Sequence, residues 1–204
     1  MVLVKQFINI PINSNTYVVS SCNSNKCIII DPGSVDMTLV INYIQRINKC
    51  PIAILLTHEH FDHIYGVNIL TEFYSEIFIY GSEKTIERIK DKKKNLSFYF
   101  DQIGYEVVEK IKIIRNNLII LDSFYINVLE TKGHTDSSLS YLIDDKLFTG
   151  DFLICNEKTV TKLPSGNYNE FVESFEKYKK YIVKYEIFPG HGKIFKFKKF
   201  INND

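Results

Sequence analysis

The chain has 204 residues, 45% of them apolar and 14% aromatic, a length and composition that suit one globular domain with its own core and exclude a disordered chain. Twenty-five basic side chains against 24 acidic ones leave a formal net charge of +1. No global field is built for nucleic acid or an anionic membrane, so neither is expected as a partner.

In chain order, the first third reads as β. Residues 2–10, 15–20 and 26–30 are β-rich runs punctuated by Asn, Ser and Pro, and Asp31-Pro32-Gly33 closes the third as a turn. Over 37–47, Leu39, Val40, Tyr43, Ile44 and Ile47 repeat at the spacing of an amphipathic helix. Residues 51–57, PIAILLT, form a continuous apolar run, which predicts a strand buried on both faces. A helix over 64–73, a short strand over 76–80 and a lysine-rich helical stretch over 82–110 follow. Residues 111–130 hold two more apolar runs. Asp144-Asp145 is a two-residue hairpin turn between 140–143 and 146–148. Asn167-x-x-Glu170 is a capping box for a helix with Phe171, Phe175, Tyr178 and Ile182 on one face, and 186–188 is the last strand. Strands, helix, then strands again imply sheets with helices packed outside. No linker divides the chain, which reads as one domain over 1–204.

No segment has secretory length or approaches the roughly 20 apolar residues that span a bilayer, so the protein is expected in the cytoplasm. Cys22, Cys27, Cys50 and Cys155 are scattered without a C-x-x-C pair and read as buried free thiols. A Cys22–Cys27 disulfide is the alternative that spacing allows.

The informative feature is the placement of five histidines. His58-x-His60-x-Asp62-His63 fills one six-residue window, while His134 and His191 each follow a glycine at the end of an apolar run; Asp151 does the same in LFTGD. On extended chain, alternate side chains share a face, so His58 and His60 can reach one ion. The chain then turns, and Asp62 and His63 point to a neighbouring position. Imidazole and carboxylate without thiolate suit Zn²⁺, and also iron or manganese. The candidates exceed what one tetrahedral ion needs. Two divalent ions are therefore expected, with Asp151 between them, holding a hydroxide that is nucleophilic at neutral pH.

These residues resemble the metallo-β-lactamase superfamily. The likeness runs through IIIDPG (28–33), THEHFDHIYG (57–66), GHTDSSLSY (133–141), LFTGD (147–151) and FPGHG (188–192), in family order. It implies an α/β (α+β) fold, a four-layer αββα sandwich with the site at one edge of the two sheets. His58, His60 and His134 would hold the first metal, Asp62, His63 and His191 the second, and Asp151 would bridge them. Asp62 and Asp151 are the carboxylates read as catalytic. Asp31 would orient a ligand, its alternative being a plain turn aspartate. Thr57, Thr135 and Thr149 adjoin ligands, as hydrogen-bond donors or simply as β-branched strand residues. Glu59 is expected to face away into solvent.

Within the superfamily the pattern is closest to the short glyoxalase II-like branch, the hydroxyacylglutathione hydrolases and their relatives. The carboxylate at Asp151, where cysteine-containing lactamases use a thiolate, points away from antibiotic hydrolysis. The resemblance implies a zinc hydrolase whose metal-bridging hydroxide attacks a small-molecule thioester. The alternatives are a phosphodiester or lactone hydrolase on the same metals, a mononuclear iron sulfur dioxygenase using His58, His134 and Asp151, or a metal-stabilised scaffold without turnover. Residues 84–94, with six basic and two acidic side chains, read as a solvated helix face, with an anionic substrate contact as the alternative. Phe98, Tyr99 and Phe100 read as core, alternatively as pocket wall. Lys162 and Tyr168 are candidate substrate contacts.

Overall fold

A computed structural model describes residues 1–108 and 111–197. Six strands build the first sheet, in the spatial order of their sequence: Val2–Ile8 (β1), Asn15–Ser21 (β2), Lys26–Ile30 (β3), Cys50–Leu55 (β4), Phe78–Gly81 (β5) and Ile111–Ile113 (β6). β1, β2 and β3 pair antiparallel, whereas β3 to β6 run parallel. Parallel neighbours need crossovers. These carry Thr38–Arg46 (α1), Val67–Phe73 (α2), and Glu83–Arg88 (α3) with Ser97–Asp101 (α4).

The strand alternation explains the layers. Ile29, Ile54 and Ile79 turn to one side and pack with Val40 and Ile44 of α1 and Val67 and Leu70 of α2. Their neighbours Ile28, Ile30, Ala53 and Leu55 turn to the other side and meet the second sheet. A strand covered on both faces needs the unbroken apolar run seen in β4.

The second sheet comprises Leu118–Leu121 (β7), Phe124–Glu130 (β8), Leu139–Ile143 (β9), Lys146–Gly150 (β10), Glu186–Pro189 (β11) and Phe195–Lys196 (β12), again neighbours in that order. Its inner face contributes Phe124, Ile126, Val128, Tyr141, Ile143, Phe148 and Phe188 to the core between the sheets. Its outer face, with Leu129, Leu142, Leu147 and Ile187, is covered by Ile182, Phe171, Phe175 and Tyr178 of the helix Tyr168–Lys184 (α5). α5 is the crossover that makes β10 and β11 parallel. The result is the expected helix–sheet–sheet–helix sandwich.

Some local expectations change. The stretch expected to be helical over 82–110, whose last two residues lie outside the described ones, breaks into α3 and α4 because Asp91 and Asn95 bond the backbone locally. Asp91 accepts from the amides of Lys93 (2.9 Å) and Lys94 (3.2 Å), and Asn95 from that of Ser97 (2.9 Å). Phe98, Tyr99 and Phe100 are consequently not core; Tyr99 and Phe100 are 69% and 46% exposed. Residues 64–66 form no α-helix, since the 3₁₀ turn Phe61–His63 precedes them and α2 starts only at Val67. The two-residue strand β12 carries too little pattern to be read from sequence. Among the cysteines, all free, only Cys27 is buried; Cys22 in the β2–β3 turn and Cys50 at the start of β4 are exposed, and Cys155 is half-buried. No helix among the described residues is long and apolar enough to cross a membrane.

Candidate metal centre

The carboxyl ends of β3, β4, β10 and β11 lie along one edge of the sandwich, and each runs directly into a singled-out residue. β3 leads to Asp31, β4 to His58, β10 to Asp151 and β11 to His191, while the turn joining β8 to β9 supplies His134. Strand ends in such sheets are where sites form, because loops leave there over a rigid base.

All seven predicted ligands come together. The ligating atoms of His58, His60 and His134 lie within 4.8 Å of one another, as do those of Asp62, His63 and His191. His60 Nδ1 is 3.1 Å from His58 Nε2 and 3.0 Å from His134 Nε2. In the second group Asp62 Oδ2 is 3.1 Å from His191 Nε2 and 3.6 Å from His63 Nε2. Asp151 stands between the groups. Its Oδ1 is 3.4 Å from His63 Nε2, and its Oδ2 is 3.6 Å from His134 Nε2 and 3.5 Å from His191 Nε2.

The outer nitrogens of three rings are held, which assigns their tautomers. His58 Nδ1 lies 3.0 Å from Thr57 Oγ1, whose own proton goes to Asp31 Oδ2 at 2.6 Å; the ring must therefore donate to the threonine. His63 Nδ1 donates to Asp31 Oδ2 (3.1 Å) and His134 Nδ1 to the Val160 carbonyl (2.7 Å). Each of these rings thus carries a proton on its outer nitrogen and turns its Nε2 to the shared space. Asp31 is itself fixed by the Thr57 amide at 2.8 Å, so it holds the His63 ring and the Thr57 hydroxyl in place and is more than a turn residue.

Electrostatics point the same way. Burial, reinforced by the neighbouring rings, holds His58 well below the ordinary histidine pKa and pushes His60 down to about 3, so both are neutral. Burial opposes ionisation of Asp151 and Asp62, yet the facing histidines outweigh it and hold both below the usual carboxylate range. Burial likewise opposes protonation of His63 and His191, but Asp62 and Asp151 raise both. Protons are drawn to where a cation would sit. His63 Nε2 and Asp151 Oδ1 are also buried and face each other at 3.4 Å, and neither makes a hydrogen bond to any other group among the described residues. The neutral imidazoles of His58 and His60, ring nitrogens converging from five histidines and two carboxylates held ionised fit divalent metal ions.

Other expectations are revised. Thr57 is a donor at the site, but the Thr135 hydroxyl bonds Ser137 and Ser138, and that of Thr149 bonds the Leu153 carbonyl (3.1 Å). Tyr168 lines a groove of about 1190 Å³ with Phe171 and Phe175, whose walls include neither Lys162 nor any of the seven cluster residues. Glu59 does not face solvent. It is 1% exposed and pairs with Arg88 at 2.8 Å, because α3 places a guanidinium behind the histidine motif. The lysine-rich segment is correspondingly more than a solvated face: Arg88 is half-buried and pairs with Glu59 and Asp136, and Lys84 pairs with Asp136. Sequence reasoning missed Val160, which acts through a backbone carbonyl and carries no residue-type signal.

Residues 9–191 match the family model of the metallo-beta-lactamase superfamily. A probable metallo-hydrolase of Streptococcus pyogenes serotype M6 is 29% identical over 189 residues, 87% of this chain and 78% of that protein. A hydroxyacylglutathione hydrolase of Actinobacillus pleuropneumoniae serotype 3 is 28% identical over 183 residues, 89% of this chain and 68% of that protein. Among solved structures, BLEG-1 B3 metallo-beta-lactamase superposes with a TM-score of 0.88 at 28% identity, covering 95% of this chain and 93% of that one. TTHA1623, crystallised in a di-iron-bound form, shares the fold at a TM-score of 0.81 and 22% identity, over 94% of both chains. With a match that spans nearly the whole sequence and a sandwich that carries its polar cluster at one edge, the chain belongs to the metallo-beta-lactamase superfamily.

Proposed function

We propose that the protein is a two-metal hydrolase of a thioester of the hydroxyacylglutathione kind. The observation that carries the hydrolase reading is the cluster itself: seven side chains with ligand atoms, three of the rings aimed by outward Nδ1 hydrogen bonds so that Nε2 faces inward. His58 Nε2, His60 Nδ1 and His134 Nε2 would hold one ion, and Asp62, His63 and His191 the other, with Asp151 facing both. Zinc suits this donor set, and so does iron. Bound divalent ions would polarise the scissile carbonyl and lower the pKa of water toward about 7.

The chain's own residues supply the rest. Asp31, Thr57 and the Val160 carbonyl keep the rings aimed. Asp62 and Asp151, both held ionised, neutralise charge and are the carboxylates at hand to accept a proton from the attacking water. The thioester is favoured by the likeness to hydroxyacylglutathione hydrolase over 89% of the chain. A β-lactam amide is the second reading, favoured by the likeness to BLEG-1.

The test is hydrolysis of S-lactoylglutathione by zinc-loaded protein, with His58→Ala as control and nitrocefin as the competing substrate. Turnover is expected, and the control should lose about 100-fold or more, since metal polarisation supplies several kcal/mol of the barrier reduction. Protein holding two metals that leaves the thioester intact overturns the thioester reading. Nitrocefin turnover then supports the β-lactam reading, and turnover of bis(p-nitrophenyl) phosphate or oxygen uptake with glutathione persulfide supports the alternatives noted from sequence.

A further inference from the structure

We propose that Arg88 is a positioning residue that sets the geometry of the His58–His60–His134 group alone. The inference rests on the reading of the cluster as two metal-binding groups, and goes beyond it by naming what holds one of them together.

The three imidazoles of that group come from only two chain segments. His58 and His60 flank Glu59, and His134 lies two residues before Asp136. One guanidinium nitrogen joins the segments: Arg88 Nη1 donates to Glu59 Oε1 at 2.8 Å and to Asp136 Oδ1 at 2.5 Å. The same nitrogen lies 3.2 Å from Ser165 Oγ, one residue before Gly166, where an added Cβ would come within 3.0 Å of the His134 carbonyl oxygen. The other carboxylate oxygen of Glu59 accepts from the Ser137 hydroxyl, a second tie between the same two segments. Lys84 bonds the remaining oxygen of Asp136 from outside.

Burial makes the arrangement consequential. The Glu59 side chain is only 2% exposed, and that of Arg88 18% exposed. A buried carboxylate stripped of its counter-charge is strongly destabilising, so Glu59 without Arg88 would be driven toward water. Glu59 lies between two ligands on extended chain and cannot swing out without moving His58 and His60. Arg88 makes no hydrogen bond or ion pair with Asp62, His63 or His191; its partners are Glu59, Asp136 and Ser165. There His63 is held by Asp31, and Asp62 by its carbonyl, which accepts from the Ser14 hydroxyl at 2.5 Å.

The experiment is titration of metal-stripped protein with Zn²⁺ by calorimetry, and with Co²⁺ by visible absorption. Wild type should take up two ions. In Arg88→Met the affinity of one site is expected to fall about 10–100-fold, the usual effect of removing a ligand's support, while the other site is unchanged. All three contacts converge on one nitrogen, so the ammonium of Arg88→Lys should recover part of the affinity and of the Co²⁺ spectrum. Asp136→Asn, a change at a partly exposed position, tests the same tie should Arg88→Met fail to fold, and should weaken the same site by a smaller factor. Two unchanged affinities in these variants, or two that fall together, overturn the assignment. Wild-type protein that binds no metal overturns both this inference and the function on which it rests.

Discussion

At the scale of a residue, a tight constraint on the carboxylate between the two groups falls on Gly190. A Cβ built there would lie 2.1 Å from Asp151 Oδ1 and 2.8 Å from His63 Cε1, both within a buried cluster that cannot swing aside. The backbone at Gly190 is not left-handed, so alanine is conformationally acceptable and its effect is steric alone. Gly190→Ala should push Asp151 away from the two groups. Thioester turnover and metal content per chain are expected to fall at least about 10-fold, with a stability cost of about 1–3 kcal/mol from overpacking. Metal content by elemental analysis, read beside the melting temperature, separates the two effects. Full metal occupancy with full turnover would show that Asp151 does not need that space.

At the scale of elements, α5 shows how a local signal becomes a packed layer. Asn167 caps the helix by accepting from the amides of Asn169 (2.9 Å) and Glu170 (3.2 Å). Its own amide donates to the Gly133 carbonyl at 2.8 Å, so the cap also braces the turn that carries His134. Asn167→Ala removes the side-chain bonds and leaves the backbone tie. A cost of about 1 kcal/mol is expected, a drop of roughly 2–4 °C in melting temperature for a chain of this size. Metal stoichiometry should stay the same. A loss of metal would show that the cap side chain, and not the backbone bond, holds the His134 turn.

The Asn167 cap was readable because it acts within one turn, although the expected box is not closed, the Asn167 amide going to Gly133 and not to Glu170; β4 was readable because burial on both faces leaves no room for polar residues. The histidine spacing was readable for a similar reason: extended chain fixes which side chains share a face. What escaped depends on contacts distant in sequence. Glu59 and Arg88 are separated by 29 residues, and nothing in either local pattern says that α3 will stop where it does. Glu59 therefore looked like a solvated residue between ligands, and 84–94 like a charged surface. The exposure of Tyr99 and Phe100 escaped too, because local Asp91 and Asn95 bonds override helical periodicity there.

At the scale of the whole molecule, the apolar core and the polar cluster are separate. Three apolar clusters lie between α1–α2 and the first sheet, between the sheets, and between the second sheet and α5; none contains a ligand residue. The layers can therefore hold without metal, unlike small domains whose folding is metal binding. Metal would bind the folded chain preferentially, since only the fold brings the ends of β4, β10 and β11 together. At about 100 times its dissociation constant, an ion stabilises the fold by about 2.7 kcal/mol. Stripping zinc with a chelator is thus expected to lower the melting temperature by roughly 5–10 °C while leaving a cooperative transition and β-rich circular dichroism at 25 °C. Re-addition of Zn²⁺ should restore the original melt in wild type and only part of it in His58→Ala, which keeps the Asp62–His63–His191 group. An unchanged melting temperature after verified metal loss would mean that the cluster is preformed but thermodynamically uncoupled from the layers. Complete unfolding on chelation would mean that the edge holds the sheets together, against what the separation of core and cluster requires.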